Sequence, residues 1–95
     1  MPEKLNGPTR AAALAGLPGW SDCEGRDAIA KSFVFKDFVA AFAFMTRGAL
    51  AAERLNHHPE WFNLWNRVDV TLSTHDAGGV TAKDIALAKA LEAGV

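Results

Sequence analysis

The feature that most constrains the fold is a change of hydrophobic period near the middle of the chain. From residue 37 to residue 56, apolar residues recur at three- and four-residue steps, which predicts an α-helix of about five turns. Pro59 disfavours helical backbone at His58, so the helix should end at or just before the pair His57 and His58. The predicted inward stripe consists of Phe38, Phe42, Met45, Ala49 and Ala52.

The same helix carries more apolar surface than contact with one sheet would cover. Its first half has further apolar residues on the other sides of the helix, namely Val39, Ala41, Ala43 and Phe44. Such a surplus indicates a second packing partner. That partner is either another copy of the chain or the short N-terminal helix, and the sequence leaves both readings open.

Segments before and after this helix show features of strands. Residues 20–24 and 28–35 precede it, with a glycine-containing turn at residues 25–27. In the second of these segments Ile29, Phe33 and Phe35 share one side at a two-residue period, and Lys31 is the misfit.

After the helix, residues 61–65 look extended, and residues 67–74 alternate with Val68, Val70 and Leu72 on one face.

Helices are also predicted at both ends of the chain. Thr9 is a candidate N-cap for a short first helix that Pro18 and Gly19 stop, and Thr81 with Asp84 has the form of a capping box for a last one. The order of helix, strands, helix, strands and helix predicts an α+β fold in which helices pack on one face of an antiparallel sheet.

Bulk properties restrict the class of protein. The 95 residues are 49% hydrophobic and 22% charged, which predicts one globular domain over residues 1–95, with residues 1–8 expected to be loose. A net charge of -1 disfavours direct binding to nucleic acid. The single cysteine, Cys23, excludes an internal disulfide framework and suits a reducing, cytoplasmic setting. The longest apolar run, residues 38–45, is too short for a membrane span.

The three histidines carry the main functional signal, because they all lie between residues 57 and 75. Histidine exchanges protons near neutrality, so His57, His58 and His75 around one pocket could supply an acid and a base. By itself a histidine pair at a helix end is more often structural. A metal site ranks below acid-base chemistry, because the side chains of adjacent histidines diverge. Cys23 and the serines show no signature of an activated nucleophile.

Two segments around the histidines resemble one known family. The runs ERLNHHPEW at residues 53–61 and VDVTLSTH at residues 68–75, followed by Gly79, Thr81 and Asp84, resemble the pterin-4a-carbinolamine dehydratases. Residues 25–29, 35–38 and 44–47 also look like animal members of that family. The resemblance extends from about residue 19 to residue 89.

The resemblance implies a four-stranded antiparallel sheet with three helices on one face, a homodimer or homotetramer, and no metal or organic cofactor. It also implies dehydration of 4a-hydroxytetrahydrobiopterin to quinonoid dihydropterin, which recycles the cofactor of phenylalanine hydroxylase and related enzymes. An alternative is a protein-interaction module. Animal members serve as dimerisation cofactors of a homeodomain transcription factor, and related bacterial chains are linked with Rubisco or carboxysome assembly.

The same resemblance implies which residues form the site. His57 is the expected principal acid-base group, His75 its counterpart, and His58 a residue that shapes or orients the substrate. The full substrate-binding set is Asn56, His57, His58, Ser73, Thr74, His75 and Asp76. Strand alternation by itself would put His75 on the face opposite Val68, so its place beside His57 rests on the resemblance.

Three further residues are expected to support the site. Glu53 lies four residues before His57, a spacing at which a carboxylate can meet the imidazole, and an unpaired, solvated helix charge is the equal alternative. Asp84 is expected mainly to cap the last helix, with support of the site as the second reading. Trp61 forms either a pocket wall or a packed aromatic contact. Asn56 stands where the family commonly has Asp, which leaves the tuning of the histidines open.

Overall fold

Four antiparallel strands form one sheet in the order β1-β2-β4-β3. The computed structural model describes residues 3–95. The strands are β1 (Ser21–Asp22), β2 (Ile29–Val34), β3 (Glu60–Leu64) and β4 (Arg67–Leu72). The helices are α1 (Gly7–Ala15), α2 (Phe38–Leu55) and α3 (Ala82–Ala93), with a one-turn 3₁₀ helix at His75–Ala77. The predicted α+β fold with a four-stranded antiparallel sheet and three helices is confirmed.

The core lies between the inner face of the sheet and helices α2 and α3. In the central pair of strands, Ile29 lies opposite Leu72 and Phe33 opposite Val68, and all four side chains are buried. Lys31 occupies the same inner face, where its ammonium group forms an ion pair with Glu92 of α3 and donates to the carbonyl of Pro18. The residue that interrupts the hydrophobic pattern of β2 is therefore paired at the edge of the core.

Helix α2 begins and ends where the sequence predicts. The side chain of Asp37 caps it by accepting a hydrogen bond from the amide of Ala40 at 2.8 Å, and Asn56 ends it in the left-handed conformation with φ 51°.

The predicted inward stripe of α2 is wrong for three of its five residues, because Phe38, Phe42 and Ala49 are exposed. The residues that face the core are Ala41, Phe44, Gly48, Ala51 and Ala52. A Cβ atom on Gly48 would lie 2.8 Å from Leu91 and 3.1 Å from Trp61. Because α2 approaches its neighbours this closely, its inner face takes mostly small residues and its bulky ones face outward.

The surplus apolar surface of α2 is divided between the inside and the outside. Ala41 and Phe44 belong to the core, Ala43 is half-buried and Val39 is 75% exposed. Helix α1 contains no buried residue. Within residues 3–95, Phe38, Val39, Phe42 and Leu50 are exposed, so the outer face of α2 is uncovered.

The N-terminal segment is attached to the start of α3. Of the eight residues expected to be loose, residues 1 and 2 lie outside the described part of the chain. Lys4 forms a β-bridge with Thr81, and the amide of Leu5 donates to the carbonyl of Val80 at 2.8 Å. Helix α1 has Asn6 as its N-cap, not Thr9 as predicted. Pro8 fits the first helical turn, because it has no N–H group to leave unpaired.

No helix within residues 3–95 is both long enough and apolar enough to cross a membrane.

Candidate active site

A cleft of about 340 Å³ lies between the end of α2 and the segment that follows β4. It is lined by Asn56, His57, His58, Ser73, Thr74, His75, Asp76 and Lys83. The structure thus brings all seven predicted substrate-contacting residues together. Lys83 is the one lining residue that the sequence reasoning missed, and no local pattern in the chain marked it.

The left-handed residue Asn56 directs the two histidines into different surroundings. After Asn56 the chain folds back, and the amide of His57 donates to the carbonyl of Ala52 at 3.0 Å. Asn tolerates this backbone conformation better than most residues, which accounts for a short polar residue here. Because His57 has left the helical register, Glu53 does not meet it. Glu53 Oε2 lies instead 2.5 Å from Nε2 of His58.

The partner of His57 is Asp84. His57 Nε2 lies 2.5 Å from Oδ1 of Asp84, whose side chain is fully buried, while that of His57 is 11% exposed. The other oxygen, Oδ2, accepts from the hydroxyl of Thr74 at 2.8 Å and from the amide of Thr81 at 2.9 Å. Asp84 therefore caps α3 and contacts His57 at the same time.

This arrangement fixes which nitrogen of His57 can exchange a proton. With the Asp84 carboxylate ionised, and therefore only able to accept, Nε2 of His57 is the donor in this contact. Among the described residues no hydrogen bond uses Nδ1 of His57, and His57 is one of the residues that line the cleft. Neutral His57 can therefore accept a proton at Nδ1 and return it.

His75 reaches the cleft because β4 ends before it. The strand stops at Leu72, and the chain turns into the 3₁₀ helix that begins at His75. A bridge between Thr74 and Gly79, with the Thr74 amide donating to the Gly79 carbonyl at 2.9 Å, closes this turn. The two-residue alternation of β4 thus does not extend to His75, which shares the cleft with His57.

Ser73, which lines the cleft, is hydrogen-bonded to Asp27. Ser73 Oγ donates to the backbone carbonyl of Asp27 at 2.9 Å. The carboxylate of Asp27 accepts from Arg10 at 3.0 Å and from the amide of Val80 at 3.4 Å. Partial burial by itself would raise the pKa of Asp27, but the hydrogen bonds from Arg10 and Val80 and the charges of Arg10 and Lys4 outweigh it. The pKa of Asp27 therefore lies below its ordinary value.

A second cleft of about 210 Å³ adjoins the first. It is lined by Arg26, Asp27, Glu60, Ser73, His75 and Gly78, so Ser73 and His75 belong to both clefts. Arg26 donates from Nη1 and Nη2 to the two carboxylate oxygens of Glu60, both at 2.8 Å. These hydrogen bonds with Arg26 lower the pKa of Glu60 and raise that of Arg26.

Trp61 does not line the main cleft. Its ring lies on the inner face of the sheet beside Gly48 and is partly buried against the core, so the reading as a packed aromatic describes its position. Within residues 3–95, no group of three or more histidine, cysteine or acidic side chains is arranged to hold a metal ion.

Comparisons with known proteins identify the family that this chain is similar to. A model of the family described as pterin 4 alpha carbinolamine dehydratase matches residues 3–93. A protein of Bradyrhizobium diazoefficiens, provisionally named pterin-4-alpha-carbinolamine dehydratase, is 60% identical over 98% of this chain and 93% of its own length. A protein of Rhizorhabdus wittichii with the same provisional name is 60% identical over 96% and 94%.

Among solved structures, the chain is similar to one described as a transcriptional coactivator/pterin dehydratase from Brucella melitensis. The TM-score is 0.94 and the sequence identity is 52%, over 97% of this chain and 98% of the other.

Proposed function

Because the chain belongs to the pterin 4 alpha carbinolamine dehydratase family, we propose that it removes water from 4a-hydroxytetrahydrobiopterin to give quinonoid dihydropterin. The observation that carries the proposal is the buried contact of His57 with Asp84 at the edge of a cleft that also contains His58 and His75. Such a site can move protons without a metal or an organic cofactor.

The reaction requires two proton transfers. The bond between C4a and the hydroxyl oxygen breaks as that oxygen receives a proton, and N5 loses its proton as the double bond to C4a forms. One water molecule leaves, and nothing is oxidised or reduced. His57 is the principal acid-base group and His75 its counterpart, and each such transfer typically contributes ~10²–10⁴-fold to the rate.

The remaining cleft residues bind and orient the ring. His58 and Asp76 are exposed and can contact the substrate from the open side. The hydroxyl of Thr74 already donates to Asp84, so its main part is to hold that carboxylate in place. Asp84 in turn keeps the imidazole of His57 in one orientation and one tautomer.

Self-association would use the outer face of α2. Phe38, Val39, Phe42 and Leu50 leave an exposed apolar surface on this helix, and this supports a homodimer or homotetramer. The same surface supports the alternative role as a protein-interaction module, in line with the name of the Brucella protein. Phenylalanine hydroxylase is the functional partner that would supply the substrate.

A coupled assay tests the proposed reaction. Phenylalanine hydroxylase generates the carbinolamine, this protein is added, and the absorbance of quinonoid dihydropterin is followed. We expect formation of the product well above the spontaneous rate in the same buffer, in proportion to the protein added. A rate equal to the spontaneous one at every protein concentration would refute the activity and favour the interaction role.

A further inference from the structure

The second cleft opens beside the proposed reaction site. Its volume of about 210 Å³ is below the roughly 300–1,000 Å³ typical of pockets that hold a whole small molecule. Because Ser73 and His75 line both clefts, a ligand in the main cleft could extend a short substituent into the second one. Glu60 and His75 line the second cleft together.

The polar groups of the second cleft suit hydroxyl groups. Arg26 uses two of its five N–H donors on Glu60, and the carboxylate of Glu60 keeps lone pairs beyond the two that Arg26 engages. A donor and an acceptor therefore lie side by side in this cleft, and a hydroxyl group can both accept from the first and donate to the second.

The charges of the second cleft disfavour an anionic substituent. The positive charge of Arg26 is neutralised by Glu60, and the charge of Asp27 by Arg10 and Lys4. A carboxylate entering this cleft would meet two acidic residues and would find both nearby arginines already paired.

We propose that the second cleft binds a short, neutral, hydroxylated substituent at C6 of the pterin, with Arg26 and Glu60 contacting its hydroxyl groups. This inference rests on the proposed dehydratase function and assigns the residues that would recognise the side chain of its substrate. C6 is bonded to N5, and N5 to C4a. A substituent anchored beside His75 therefore turns the reacting edge of the ring toward His75, as the proton transfer from N5 requires.

The test compares two carbinolamines that differ only at C6, one with a dihydroxypropyl group and one with a methyl group. In the wild-type protein we expect kcat/KM to favour the dihydroxypropyl substrate. In Arg26→Met and Glu60→Gln that preference should fall about five- to tenfold, mainly through KM, because one or two hydrogen bonds to a charged group are lost.

The matched control is Arg67→Met. Arg67 forms a comparable exposed ion pair with Asp69 and lines neither cleft, so both substrates should keep their wild-type kcat/KM. An unchanged preference in Arg26→Met and Glu60→Gln, or equal losses for both substrates, would overturn the inference while leaving the dehydratase function intact. A wild-type protein that accelerates neither substrate would overturn the function itself, and circular dichroism checks that every variant is folded.

Discussion

His57 and His58 are neighbours in sequence, and each contacts a carboxylate at 2.5 Å. The two contacts differ in their burial and in the other hydrogen bonds of the carboxylate. The pair of His57 with Asp84 is buried, and Asp84 has two further hydrogen bonds from Thr74 and Thr81. In the pair of His58 with Glu53, both side chains are more than half exposed, at 59% and 76%. The difference arises at Asn56, whose left-handed backbone turns the chain between the helix and the histidines.

The contrast shows that contact with a carboxylate does not by itself define the role of a histidine. The burial and the other partners of that carboxylate also matter. Solvent and salt screen an exposed ion pair, which therefore contributes little to stability or orientation. A buried carboxylate with three partners holds each of them, and its loss leaves several polar groups without a partner. We therefore propose that Asp84, and not Glu53, positions the imidazole of His57 for the proposed reaction.

Among the carboxylate variants, the largest effect is expected for Asp84→Asn. The amide keeps the size of the side chain but presents only one acceptor oxygen, so His57 or the Thr74 and Thr81 donors lose their partner. We expect kcat for dehydration to fall about 100-fold and the free energy of unfolding to fall by about 3 kcal/mol. Stopped-flow absorbance measures the first quantity and urea denaturation the second. Wild-type kcat in a folded Asp84→Asn protein would contradict the assigned role of this carboxylate.

An intermediate effect is expected for Asp27→Asn, because Asp27 is partly buried and paired with Arg10. Loss of the charged hydrogen bonds should reduce the free energy of unfolding by about 1–2 kcal/mol near neutral pH. The folded-state pKa of Asp27 lies below its ordinary value of 3.8, so this stabilisation is present above about pH 4 and is lost as the pH falls through the lowered pKa.

Urea denaturation of the wild type and Asp27→Asn at several pH values between 2 and 7 measures the difference. The two curves of stability against pH should converge at the acidic end. A gap that stays constant, or widens toward low pH, would contradict the ion pair with Arg10.

The smallest effect is expected for Glu53→Gln, the matched control for Asp84→Asn. Its exposed contact with His58 should contribute less than about 0.5 kcal/mol to stability, and kcat should stay within about threefold of the wild type. The same assays apply. A loss as large as that of Asp84→Asn would remove the distinction between the two contacts.

The elements that depend on local sequence pattern were predicted. The buried face of α2, which depends on how closely the helix approaches its neighbours, was not. The bounds of α2, the alternation of β4 and the capping box of Thr81 with Asp84 follow from residue types and spacing, and the structure has them. The buried face of α2 was not predictable from hydrophobicity, because it is decided by the contact of Gly48 with Leu91 and Trp61.

The residues of the cleft were predicted as a set, but two aspects of its interior were not. Helical spacing suggested Glu53 as the partner of His57. The left-handed backbone of Asn56 takes His57 out of the helical register, and Asp84, 27 residues away, is its partner instead. Lys83 faces the cleft because of how α3 docks, which no local pattern in the chain encodes.

The most direct test of His57 as the principal acid-base group is a side-by-side measurement of dehydration by His57→Ala and His58→Ala under single-turnover conditions. His57→Ala should slow the reaction about 10²–10⁴-fold with the fold intact, whereas His58→Ala should slow it by no more than about tenfold. Wild-type turnover in His57→Ala, or a greater loss in His58→Ala, would contradict the account.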